Sequence, residues 1–288
     1  MRFLKRYFPL IPALILTLLC AGGALAEREY DHARSEHDIG TCLTLSGDAA
    51  IVVLFANDDV SQWDEASMRE VMARVNEGAA FLRDSAKAYG YDLTLPTFFY
   101  ADNANREIRY SGVIETGGAK LNALASIAEN WGYDSAYHMH DALLDHTGMD
   151  QIAYIVAHNK DGYTFAQGQS HQSDWLDWCD PEYCVLAIRT INGYTNPASV
   201  YMHELLHLFG AQDLYRKEIG GVVYNDSREK AAKELCPGEI MDVCYGEFSD
   251  LQISGFTAYC IGWLDFLPAN YDTHEWWAGT QWEDEYMP

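Results

Sequence analysis

Apolar residues recur along the chain in two rhythms, and each predicts a different element. Ala50-Ile51-Val52-Val53-Leu54-Phe55-Ala56 is apolar without interruption, short and rich in β-branched residues. Such a run predicts a strand buried on both faces. Downstream, Met68, Val71, Met72, Val75, Ala79, Leu82 and Ala86 return every three or four residues, the stripe of a long helix running to about Ala88. Ser61 with Asp64 has the spacing of a capping box at its start, and Gly90 marks its end. Leu93 to Tyr100 predicts a second strand, which Pro96 confines to an edge or a strand start. Residues 101–118 read as a hairpin or a loop. Ala119 to Trp131 and Ser135 to Thr147 predict two shorter helices, closed by Gly132 and Gly148.

The next apolar run, Ile152 to Ala157, is a third strand, followed by a turn at Lys160-Asp161-Gly162. Tyr163 to Ala166 then returns as a short fourth strand, hairpin-like and antiparallel at an edge. Residues 167–183 form a polar loop holding Trp175, Trp178 and Cys179, and Cys184 to Arg189 is the fifth strand. A helix begins after Asn196, a good N-cap, and Pro197, which suits a first helical position. Its apolar face is Leu205, Leu208 and Phe209. Residues 214–237 are a charged connection with a short helix near Arg228 to Leu235. Ser249 with Gln252 repeats the capping-box spacing before a last helix striped by Phe256, Cys260, Trp263 and Leu264. The tail from Pro268 is acidic and rich in Trp. This order predicts an α/β (α+β) fold, a twisted mixed five-stranded sheet packed against two main helices. Without repeats or linkers, residues 27–288 read as one domain, with an upper part over about 48–210 and a smaller irregular part over about 211–288.

Composition narrows the setting. Of 288 residues 49% are apolar, enough for a sizeable core. The formal net charge of −24 argues against nucleic-acid or anionic-membrane binding. It leaves room for Ca²⁺ on loop carboxylates, at no position the sequence locates. Arg2, Lys5 and Arg6, the apolar run Leu10 to Leu19 and Ala24-Leu25-Ala26 make residues 1–26 a secretory signal peptide. The expected location is therefore extracellular or periplasmic, and the expected state a monomer not inserted in a membrane. Six cysteines lie beyond that segment, and an even number in an exported chain suggests up to three disulfides in one of fifteen arrangements. The arrangement expected is Cys179–Cys184, Cys236–Cys244 and Cys42–Cys260.

The candidate chemistry lies in His203-Glu204-Leu205-Leu206-His207-Leu208-Phe209-Gly210-Ala211-Gln212-Asp213. Residues four apart share a helix face, so His203 and His207 can hold one ion between their imidazoles. Glu204 sits about 100° round the helix, near the ion without being a ligand. Gly210 can take positive φ, end the helix and let the chain bring Asp213 back as a third ligand. Three protein ligands with an open fourth position are the arrangement of a catalytic Zn²⁺ site, with Glu204 as general base toward a water. Other histidines are weaker candidates. His138, His140 and His146 share no clean helical face, and they and His171 read as surface or core residues.

This stretch resembles the zinc motif of the metzincin metallopeptidases, in the form whose third ligand is Asp. The resemblance implies His203, His207 and Asp213 as ligands and Glu204 as base. It also implies a methionine turn beneath the metal, for which Gly238-Glu239-Ile240-Met241-Asp242 offers Met241. Some metzincins place a stabilising tyrosine two residues after that Met. Here the position is Val243, which leaves Tyr245 or Tyr215 as the candidate oxyanion stabiliser. The expected activity is that of a secreted zinc metalloendopeptidase whose protein or peptide substrate pairs with the edge strand. Two rivals stand beside it. One is a gluzincin-like hydrolase using Glu229 or Glu234 as third ligand, and the other is a non-catalytic secreted zinc-containing binding protein.

Overall fold

The computed structural model describes residues 40–101, 108–110, 123–167, 181–219 and 221–271. Its first strand, β1 (Ala49–Phe55), is buried at every position, because the sheet is covered on both faces. Ile51, Val53 and Phe55 point into one core layer, and Ala50, Val52 and Leu54 into the other. The first layer is shared with helix α1 (Glu65–Ala88) and helix α4 (Ala198–His207), the second with α2 (Ala123–Asn130) and α3 (Ala136–Thr147). That is why the run carries no polar alternation. Each buried Ile, Val, Leu or Phe side chain contributes about 1.5–3 kcal/mol of apolar transfer free energy.

With β2 (Thr97–Tyr100), β3 (Gln151–Gly162), β4 (Phe165–Gln167) and β5 (Tyr183–Thr190), β1 forms a five-stranded sheet in the order β2-β1-β3-β5-β4. The pairs β1–β2, β1–β3 and β3–β5 are parallel, and only β4 runs antiparallel, against β5. The fold is therefore mixed α/β with a mostly parallel sheet. A hairpin, β6 (Lys217–Ile219) with β7 (Val222–Tyr224), and helices α5 (Asp226–Leu235) and α6 (Gly255–Cys260) follow the main layers.

Several local expectations are corrected. The cap of α1 is Asp64, whose carboxylate accepts from Ser67 N at 2.9 Å. Ser61 is tied into the preceding loop by its own N–H to Asp58 Oδ1, 2.7 Å. Strand β3 runs through Lys160-Asp161-Gly162, since Asp161 and Gly162 pair with Arg189 and Thr190 after a register irregularity. The turn comes after Gly162, and β4 is antiparallel at an edge, but beside β5 because β1 and β5 already flank β3. Pro197 takes the cap position of α4 without a side-chain bond. Asn196 turns its amide back to Ala187 O (2.8 Å) and Thr164 Oγ1 (3.1 Å), joining the β4 turn to β5. The last helix is capped by Ser254, which accepts from Thr257 N, while Ser249 lies in a 3₁₀ turn, Phe248–Asp250.

The three disulfides are also corrected, since Cys42, Cys184, Cys236, Cys244 and Cys260 all carry thiols. Folding has given some of these thiols other partners. Cys42 Sγ donates to Ile152 O at 3.3 Å, and Cys236 Sγ lies 3.6 Å from Glu239 Oε2. Cys179, Trp175, Trp178, His171, residues 1–26 and the tail beyond Tyr271 fall outside the described residues. Among the described residues no helix is long and apolar enough to cross a membrane.

Candidate metal centre

Helix α4 carries its chemistry on a helix that is buried on nearly every side. It packs so closely on α1 that a Cβ at Gly78 would lie 2.5 Å from Met202 Cγ. Its first turn is tied down by Ser199, whose hydroxyl lies 2.7 Å from Cys244 O and 2.9 Å from Gly246 O. A ligand helix fixed at this end and along one face cannot roll, so its imidazoles arrive in one orientation.

Both rings are then oriented by backbone carbonyls. His203 Nδ1 donates to Ile240 O at 2.9 Å, and His207 Nδ1 to Ala211 O at 2.7 Å. A carbonyl only accepts, so each Nδ1 carries a proton and each Nε2 is left to face Asp213. The helix ends where expected. Gly210 has φ +92°, and its missing Cβ would stand 3.2 Å from Cys260 O. Ala211 N bonds back to Leu206 O, and the reversed chain delivers Asp213. Asp213 Oδ1 lies 3.1 Å from His203 Nε2 and 3.1 Å from His207 Nε2. Among the described residues these three form a group able to hold a metal ion, their ligand atoms all within 4.8 Å of one another.

The fit to a cation follows from the atoms themselves. Asp213 Oδ1 is buried and within reach of both imidazoles, yet among the described residues no donor is aimed at it in hydrogen-bonding geometry. Burial alone would lower the His207 pKa, but the Asp213 carboxylate overrides it and carries it up to about 9. Burial alone would raise Asp213, and the two imidazoles outweigh that and hold its carboxyl well below the usual range. The cluster calls for positive charge at its centre, which a divalent ion supplies better than a proton. Two imidazole nitrogens and one carboxylate oxygen suit a borderline first-row ion.

Glu204 stands next to this group without joining it. Burial raises its pKa, only partly offset by the two imidazoles and, least of all, by the nearby Ala166 N–H of β4. Met241 is fully buried, and its carbonyl accepts from Leu214 N at 2.9 Å. The carbonyls of Ile240 and Met241 thus brace both His203 and the residue after Asp213. Tyr215 lies against His203, ring centroids 6.0 Å apart. Burial and the nearby Asp213 and Glu204 carboxylates keep its hydroxyl protonated. Tyr245 is instead 60% exposed.

The alternative ligands stay away. Glu229 pairs with Lys233 at 2.5 Å, Glu234 is exposed, and neither belongs to the group. His138 is exposed, and buried His140 has its Nδ1 3.0 Å from Tyr154 Oη. Sequence reasoning missed the residues that hold Asp213. Lys217 Nζ lies 2.5 Å from Asp213 Oδ2. Asn225 Nδ2 and Arg228 Nη1 donate to the Asp213 carbonyl at 3.2 and 3.3 Å, and Arg228 is fully buried. Their positions in a charged connection carried no periodicity to mark them, and the backbone partners of the imidazoles leave no trace in residue types. A scan against protein-family models finds no match to the chain, and a search of curated proteins finds none either.

Proposed function

We propose that this chain is a secreted, zinc-dependent metalloendopeptidase of the metzincin type. One observation carries the reading: two inward-facing imidazole nitrogens and an orphaned carboxylate oxygen meet at 3.1 Å, with an uncommitted acid one residue after the first histidine. His203, His207 and Asp213 would hold the ion, and Met241 would form the apolar floor beneath it. Zinc, when bound, supplies Lewis acidity toward a water and a carbonyl.

The rest is the work of the chain. Glu204 takes a proton from the attacking water as its oxygen adds to the scissile carbonyl carbon. It then delivers that proton to the amine nitrogen as the C–N bond breaks. A carboxyl whose pKa is raised by burial suits both halves of that exchange. β4, which brings the Ala166 N–H near Glu204, is an edge strand of the sheet among the described residues and offers a side for an extended substrate to pair with. Tyr215, protonated and beside the metal group, fits the role of donor to the developing oxyanion better than exposed Tyr245 does.

The test is metal analysis of the purified protein paired with casein cleavage with and without chelator. About one zinc per chain and chelator-sensitive cleavage are expected. Glu204→Ala should keep the metal and lose roughly 10²–10⁴-fold in turnover. Substantial cleavage by Glu204→Ala would remove the base from the mechanism. A metal-loaded protein that cleaves no peptide bond would be the non-catalytic binding protein instead.

A further inference from the structure

The two oxygens of Asp213 face different partners. Oδ1 looks at both imidazoles, 3.1 Å from each Nε2, and Oδ2 looks at the Lys217 ammonium, 2.5 Å away. This is not an ordinary surface ion pair, because the Asp213 side chain is only 6% exposed and that of Lys217 24%. Lys217 is itself held in place. Its ammonium sits over the Tyr215 ring, 5.5 Å from the centroid, and that ring lies against His203. Lys217 opens β6 and is paired across the hairpin with Tyr224. The next residue, Asn225, takes a left-handed conformation at φ 60° and turns its amide onto the carbonyls of Asp213 and Tyr215. The hairpin therefore grips Asp213 twice, by its side chain from Lys217 and by its backbone from Asn225.

Resting on the metal reading above, we infer that Lys217 is a positioning residue that makes Asp213 a one-oxygen ligand. The ammonium occupies Oδ2, so only Oδ1 is left to face the ion. A carboxylate free to swing could offer both oxygens and close the position that an open site needs. Two opposing effects meet at Lys217. Its charge repels a divalent ion, which alone would weaken binding. Its grip holds a flexible ligand in place, which strengthens it. Partners that orient a ligand typically govern about 10–100-fold of metal affinity, and the grip is the larger effect here.

The experiment uses full-length mature protein, stripped of metal and titrated with Co²⁺, then with Zn²⁺ against a chromophoric chelator. Wild type should show the intense visible bands of four-coordinate cobalt. Lys217→Arg should keep those bands and bind zinc within about threefold of wild type. Lys217→Met and Lys217→Gln, two neutral replacements at a partly exposed position, should lose band intensity as the second oxygen joins. They should also bind zinc about 10–100-fold more weakly. Neutral variants with wild-type bands and wild-type affinity would overturn the inference. So would tighter binding, which would leave Lys217 as a repelling charge and nothing more. If wild type takes up neither ion, the metal reading falls and this inference with it.

Discussion

Among the described residues, two neighbourhoods bury histidine in opposite ways. At the end of α4, His203 and His207 each donate Nδ1 to a carbonyl and turn Nε2 toward Asp213. Within β3, His158 is buried, 1% exposed, and among the described residues neither ring nitrogen has a hydrogen-bond partner. Burial by itself lowers the pKa of His207 and of His158. Beside Asp213 the carboxylate reverses the direction and His207 is carried up to about 9. At His158 burial is reinforced by Lys160 and only partly opposed by Asp58, and the ring falls to about 4. Depth of burial therefore says nothing about function. The partner does, because one site is built to hold a positive charge and the other to exclude it.

The sharpest way to break the comparison is to delete the partner. Asp213→Ala should reduce zinc affinity by well over the roughly 100-fold typical of an orienting residue and leave no stoichiometric metal after dialysis. Atomic absorption on dialysed protein checks it, and retained zinc would mean that the imidazoles bind without the carboxylate. The next test is on the other neighbourhood. His158 has a folded pKa below its unfolded value, so it costs nothing above about pH 6.5 and destabilises progressively as pH falls toward its folded pKa. Near pH 4.5 that loss is about 2–3 kcal/mol. His158→Leu should therefore flatten the acid side of the stability profile, read by urea unfolding at several pH values. An unchanged profile would show that another group governs acid loss. The mildest test concerns His140, which lies between the extremes with one partner, Tyr154 Oη. Tyr154→Phe should cost about 1 kcal/mol by leaving that nitrogen unpartnered, measurable as a lower urea midpoint. No loss would mean that water reaches the ring.

How much could be read before folding differs by region. The continuous run at Ala50–Ala56 and the stripe from Met68 to Ala86 predict β1 and α1 to within a few residues. Both signals come from burial, and burial periodicity is written into residue types. The caps were less legible. Ser61 and Ser249 have the right spacing, but Asp64 and Ser254 do the capping, because chain direction at a loop decides which side chain reaches the first turn. The cysteines were misread for a similar reason. An even count permits pairing, while only the fold sets which sulfurs approach one another, and the five described cysteines remain thiols.

What the sequence determined by itself is local. His203 and His207 lie one turn apart on a helix, Glu204 beside them, and Gly210 frees the chain to return with Asp213. Each follows from helix geometry and backbone sterics acting over ten residues. What only the tertiary structure decided is orientation. Ile240 and Ala211 lend the carbonyls that turn both imidazoles inward, and β4 brings a backbone N–H near Glu204. Lys217, Asn225 and Arg228 fix Asp213 from a segment with no pattern of its own. Backbone groups are the same for nearly every residue type, and a long-range contact has no sequence spacing. Their placement is settled only when the chain closes on itself.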